Sequence, residues 1–341
     1  MFAGILAGIT WGLETVALNK AFDLNPLESM ILATLITAFM HDTFSAIFAW
    51  IYNGVRGKLP EIFRSLFKTK SGKWVVIAAI IGGPVGMTGY VMTVQNLGYA
   101  IGAAASTVFP AIGAVLAFIF LKEKMKWYQW LFLLATLAGV FGLFYSTDIK
   151  AENILLGVIG TLLCSFGWGI EAVILAKCLR DGDVSDEGAL MIRQTTSAVV
   201  YGAAVLPVLS VILKDNAWGR TVALFSNTGW LVPVIVIAGL FATASYLFYY
   251  KAIAKIGASK SMALNVSYAA WAMIFGNIYF LIDPTYSQKT EITFLTVVCA
   301  IVVLVCSIFA AADFKDIFRR NPAPAVAEGG SEQEGPEDKT E

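Results

Sequence analysis

The sequence predicts an all-α integral membrane protein of ten transmembrane helices, built as two inverted five-helix repeats with both termini cytoplasmic. Three observations predict it: an apolar excess, ten separated apolar runs, and a motif that recurs at nearly constant spacing. Of the 341 residues 58% are hydrophobic and only 14% charged, and mean hydropathy is +0.73. Soluble domains run at about 45–50% apolar and about 25% charged, so lipid is the solvent that accommodates the excess.

A helix crossing the hydrocarbon core needs about 20 mainly apolar residues. Such runs lie near 2–21, 28–52, 74–97, 100–121, 128–146, 153–176, 188–213, 230–250, 259–282 and 291–312. The chain opens inside the first run with no basic stretch ahead of it, so an uncleaved first span is expected. Small residues, as at Gly82-Gly83 and Gly102–Ser106, let membrane helices approach closely. Pro84 and Pro110 fall inside runs and are expected to kink or break them where a cavity is lined.

Basic residues set the orientation. Sixteen, from Arg56, Lys58, Arg64, Lys68, Lys70 and Lys73 through to Lys315, Arg319 and Arg320, fall on one side. Only Lys150, Lys214, Arg220 and Lys289 fall on the other, which puts the richer side in the cytoplasm. Residues 321–341, rich in Pro, Gly, Ala and Glu without an aromatic, read as a disordered acidic cytoplasmic tail.

Trp11-Gly12-Leu13-Glu14 with Lys20 recurs as Trp168-Gly169-Ile170-Glu171 with Lys177, 157 residues on. Ile101-Gly102-Ala103 with Ser106 recurs as Ile256-Gly257-Ala258 with Ser261, 155 residues on. This division assigns residues 1–150 to a first repeat and 151–320 to a second. Five spans is an odd number, so the second repeat enters from the opposite face. Inverted repeats of this kind place a binding site near the midplane between the halves. Trp11 lies about ten residues from the inner end of its span and Trp168 about fifteen from the outer end of its own, so the two elements meet near the middle.

Several classes are excluded. A net charge of zero gives no reason to expect nucleic acid. Cys164, Cys178, Cys299 and Cys306 lack metal or redox spacing, and one histidine makes no multi-histidine metal centre. No cofactor or metal is expected. An intramembrane enzyme would need a nucleophile–base constellation or a metal site, and neither His-Glu-x-x-His nor Gly-x-Ser-x-Gly is present.

Certain segments carry a resemblance: His41-Asp42, Gly83-Pro84-Val85-Gly86-Met87, Phe109-Pro110-Ala111-Ile112, Trp168-Gly169-Ile170-Glu171, Ile192 to Ser197, Ser245 to Tyr250, and Leu264-Asn265-Val266-Ser267-Tyr268. With them, residues from about 5 to 312 resemble the drug/metabolite transporter superfamily of EamA type. Within it the chain resembles the LicB-like bacterial choline permeases. The resemblance implies a secondary transporter in the bacterial inner membrane that imports choline or a related quaternary ammonium compound. An exporter of another metabolite or lipophilic cation remains the alternative, and monomer or homodimer is left open.

A quaternary ammonium has no N–H to donate, so charge and aromatic faces must hold it, at about 0.5–2 kcal/mol per cation–π contact. Trp11 with Glu14, and Trp168 with Glu171, share helix faces. Tyr246, Tyr249 and Tyr250 supply one further wall, and Asn265, Tyr268 and Trp271 another. A lone intramembrane tryptophan ordinarily packs or anchors; its repetition beside glutamate argues for a site. Glu171 is the residue expected to balance the ligand's charge, whereas Glu14 could instead pair with a basic side chain. His41-Asp42 reads either as a proton-coupling pair or as a structural hydrogen bond. Arg193 reads as an ion-pair partner or gate, and Lys20 and Lys177 as side chains reaching the headgroups.

Overall fold

The computed structural model describes residues 1–98, 104, 105, 107–145, 152–227 and 229–313. The junction at 150/151, the acidic tail, and the Gly102 and Ser106 positions of the second echo lie outside the described residues. Among those described there is helix and no strand.

Helix α1 spans Phe2–Leu24 and α2 spans Met30–Val55, the latter started by Ser29, whose hydroxyl accepts from the Leu32 amide at 3.4 Å. A short helix, α3 (Leu59–Lys68), lies within the first basic connection, with Pro60 in its first turn. Next come α4 (Lys70–Leu97), α5 (Phe109–Leu121), α6 (Trp127–Leu143) and α7 (Ile154–Arg180). Ser185 caps α8 (Asp186–Leu213) by accepting from the Gly188 amide at 3.1 Å. A second short helix, α9 (Ala217–Asn227), leads to α10 (Leu231–Ile256), α11 (Ala258–Ile282) and α12 (Phe294–Ala311). Neither α3 nor α9 was expected from the apolar runs.

Eight of the described helices are long and apolar enough to cross a membrane: α1, α2, α4, α7, α8, α10, α11 and α12. Two more, α5 and α6, are shorter and apolar. Each of these ten overlaps one of the ten apolar runs, α5 only from Phe109 onward.

Three long helices are irregular near their middles. In α4 the turn Ile81–Val85 widens to π geometry around Pro84, which has no amide hydrogen for the regular ladder. In α8 the turn Tyr201–Val205 does the same. Helix α11 tightens at Val266 and Ser267, where Ser267 N–H bonds Leu264 O at 3.2 Å and Ala270 N–H bonds Ser267 O at 3.1 Å. Pro110 sits in the first turn of α5 rather than breaking a continuous helix. Just before it Thr107 N–H bonds Ala104 O at 3.1 Å and Val108 N–H bonds Ala105 O at 3.2 Å.

The glycine of each Trp-Gly-x-Glu element has a packing task. A Cβ on Gly12 would lie 2.5 Å from the Trp271 Cβ, and one on Gly169 would lie 3.1 Å from the Gly113 amide nitrogen. Helix α1 therefore closes on α11 at a distance that excludes a larger side chain, and α7 closes on α5 so tightly that one would have to push its neighbour aside.

Candidate functional site

One cavity of about 190 Å³ penetrates the bundle. At its floor, helices α1, α7, α5 and α11 present four aromatic rings to one another. Trp11 stacks on Tyr268 with centroids 4.1 Å apart and planes inclined by 21°. Trp168 meets Phe109 edge-on at 5.5 Å, and the two indoles are 6.5 Å apart. Tyr90 of α4 adds a fifth ring 6.3 Å from Trp168. The irregular segments make this possible: Phe109 and Tyr268 are each the first residue of a regular helix after a tightened turn. Trp168 is further oriented by its indole N–H, which donates to Gly82 O at 3.0 Å in the π turn of α4.

A chain of buried charged groups borders this box. Glu14 Oε1 lies 3.1 Å from His41 Nε2, and His41 Nδ1 lies 2.9 Å from Asp42 Oδ1. Arg193 donates from Nε to Glu171 Oε1 at 2.9 Å and from Nη1 to Asp42 Oδ2 at 3.4 Å. Ser197 donates to Asp42 Oδ2 at 2.5 Å, and Gln194 Nε2 to Ser45 Oγ at 2.6 Å. Burying an ion costs several kcal/mol, and only partners and hydrogen bonds offset it; here every member has both.

The pattern is reciprocal. Glu14 holds His41 as Glu171 holds Arg193; Asp42 bonds Ser197 as Gln194 bonds Ser45. His41-Asp42-Thr43-x-Ser45 and Arg193-Gln194-Thr195-x-Ser197 stand 152 residues apart. The exchange is imperfect in one respect: the first element offers an imidazole and a carboxylate where the second offers a guanidinium and an amide. Both nitrogens of His41 face carboxylates, which an imidazolium can satisfy and a neutral ring, with one N–H, can satisfy only once. Counting formal charges, three carboxylates face one guanidinium and one imidazole. With all three carboxylates ionised, the cluster is short of positive charge by one with His41 protonated and by two with it neutral.

Of the residues singled out from sequence, Trp11, Glu14, Trp168, Glu171, Tyr246, Tyr249, Tyr250, Asn265 and Tyr268 line the cavity, as do His41 and Asp42. Trp271 does not: it covers Gly12 between α1 and α11 and stacks on Phe275 at 5.8 Å. Glu171, expected to balance the ligand's charge, already accepts from Arg193, so the negative excess belongs to the cluster as a whole. Tyr246 turns its ring to the Arg193 guanidinium at 4.7 Å. Phe109, Tyr90 and Tyr201 also line the cavity and were not among the candidates, while Arg193, read as an ion-pair partner or gate, lines it as the ion-pair partner of Glu171 and Asp42. For Phe109 the available signal was its place after a break, 159 residues before Tyr268.

The lining runs on through Leu18, Asn19, Phe22, Thr34, Tyr90 and Phe144, toward the end of the bundle opposite the basic connections. At the basic end contacts close it. Ser45 and Thr243 hydroxyls meet at 3.0 Å, Trp50 Nε1 donates to Thr195 Oγ1 at 3.0 Å, and Glu187 receives both Arg56 and Lys58.

At the opposite end Lys20 is ion-paired rather than extended to headgroups: its Nζ lies 2.6 Å from Asp283 Oδ2 and donates to Thr285 Oγ1 at 2.9 Å. The hydrogen bonds from Lys20 and Thr285 pull the Asp283 carboxyl down from its ordinary 3.8 to about 2. A depressed carboxylate contributes stability that is present above its ordinary value and lost as pH falls through the lowered one. The tether should thus stay intact from pH 8 to pH 5. Asp283→Asn should leave the pH profile of ligand binding in that window unchanged, and a shifted profile would refute this.

Membrane-length helices surround a mainly apolar cavity that is bordered by buried charged groups and closed toward one end, an arrangement that suits a multi-pass membrane transporter. Residues 1–145 match the EamA-like transporter family, so the resemblance to that superfamily holds. Over 283 residues the chain is 26% identical to Protein LicB of Haemophilus influenzae, covering 81% of this chain and 88% of that protein. A solved crystal structure aligns with a TM-score of 0.64 over 91% of this chain and 95% of its own, at 14% identity. That likeness shows the fold alone.

Proposed function

We propose that this transporter imports choline or a closely related quaternary ammonium compound by alternating access. The observation that carries the reading is the juxtaposition of the Trp11, Trp168, Phe109 and Tyr268 rings with a buried cluster in negative excess. Aromatic faces attract a cation that cannot donate hydrogen bonds, and a monovalent cation supplies the charge that the cluster lacks when His41 is protonated. The similarity to LicB supports the same reading.

The reading includes ten spans, repeats at 1–150 and 151–320, both termini in the cytoplasm and the inner membrane of a bacterium as location. With the basic end cytoplasmic, the cavity extends toward the outside, which is where an importer loads. Alternating access then requires the contacts around Ser45, Trp50 and Glu187 to part while the opposite end closes. An inside-negative potential contributes about 2.3 kcal/mol per 100 mV to a cation moving inward, roughly a fifty-fold gradient. Proton coupling adds to this through His41, which contacts Glu14 and Asp42, while Asp42 in turn contacts Arg193.

Calorimetry on purified protein tests the reading. Saturable choline binding is expected, weakened by Trp168→Ala, with choline preferred over betaine, whose carboxylate the cluster repels. In proteoliposomes uptake should follow an inside-negative potential, and an inward proton gradient should raise it in wild type but not in His41→Gln. Absence of binding to any quaternary amine would sink the ligand assignment.

A further inference from the structure

Tyr201 is one of the polar residues of the cavity that lie outside both the box and the charge cluster. It opens the π turn of α8, is 1% exposed, and lines the cavity, yet its hydroxyl has no hydrogen-bond partner in the protein. Asn265, 3% exposed beside the irregular turn of α11, likewise has its Oδ1 unpartnered. A buried polar atom left unpaired is costly, and native structures keep few of them.

The position of Tyr201 is held from two sides. The carbonyl of Gly202 accepts the Trp218 indole N–H of α9 at 3.0 Å, and Trp218 in turn packs edge-on against Phe39 at 5.3 Å. Four residues earlier on α8, Ser197 bonds Asp42. Tyr201 therefore stands one helical turn beyond the carboxylate cluster, on the side away from the basic end.

The geometry points to Tyr201 as a specificity residue that hydrogen-bonds the polar arm of the transported cation, with Asn265 Oδ1 as an acceptor bordering the same cavity. The ligand class is then narrower than quaternary ammonium in general: a quaternary amino alcohol, whose hydroxyl can both donate and accept. This inference rests on the quaternary-ammonium reading above.

Choline and tetramethylammonium separate the two, because they share a cationic head and only choline carries the hydroxyethyl arm. Titration calorimetry with each cation, on wild type and Tyr201→Phe, should show choline binding tighter than tetramethylammonium to wild type. The substitution should weaken choline by about five- to tenfold, the loss of one hydrogen bond, and leave tetramethylammonium unchanged. Since phenylalanine keeps the ring and removes only an unpaired hydroxyl, Tm should not fall. If Tyr201→Phe weakens both cations equally, or neither, the assignment of Tyr201 is overturned while the reading stands. If wild type binds neither cation, the reading itself fails and takes the assignment with it.

Discussion

Arg193→Met should destabilise the protein by about 3–5 kcal/mol, the cost of breaking a buried ion pair and leaving its partners uncompensated. The guanidinium spans Glu171, Asp42 and Gln194 and stacks on Tyr246. Removing it leaves Glu171 without its cation and Asp42 with only His41 and Ser197. Arg193→Lys should recover little, since a single ammonium cannot reproduce a planar fork with separate bonds from Nε and Nη1. Combining Arg193→Met with Glu171→Gln should restore much of the lost Tm, because the largest unpaired charge is then gone and contacting residues are not additive. Thermal unfolding of wild type, Arg193→Met, Arg193→Lys, Glu171→Gln and the double variant in one detergent decides the matter. Additive losses in the double variant would mean that the two side chains do not act as a pair.

Trp11→Ala should weaken choline by about thirtyfold, the equivalent of a desolvated cation–π contact of about 2 kcal/mol. Trp11 is the ring that touches most of the box: it stacks on Tyr268 and stands 6.5 Å from Trp168 and 6.4 Å from Phe109. Trp11→Phe keeps a smaller π face and should lose only a fewfold. Titration with choline, with Trp127→Ala as an exposed tryptophan control, reads the difference. Equal affinities for Trp11→Ala and wild type would place the cation elsewhere in the cavity.

The reciprocal charged pairs show where sequence reading stopped. The Trp-Gly-x-Glu echo is visible because four of its residues recur at one spacing within a single turn or two of helix. The echo of His41-Asp42-Thr43-x-Ser45 in Arg193-Gln194-Thr195-x-Ser197 was equally available, but only Thr and Ser are identical and the spacing, 152, differs from 157 and 155. Contacts, not letters, relate His41 to Arg193. Trp271 errs in the opposite direction: its spacing from Tyr268 puts it on a face with that ring, yet Gly12 admits α11 so closely that Trp271 fills the gap between helices.

By itself the sequence determined the solvent, the apolar helices and the pairing of tryptophan with glutamate. Each follows from composition or from neighbours within one or two helical turns, where hydropathy and the 3.6-residue period act. Only the tertiary structure decided which buried charges meet, that Arg193 belongs to Glu171 and Asp42, that Phe109 closes the box, and that Tyr201 faces the cavity unpaired. Those relations join residues 22 to 159 positions apart. They depend on how close glycines let helices come and on where a π turn or a tightened turn rotates a side chain, and no local pattern encodes either.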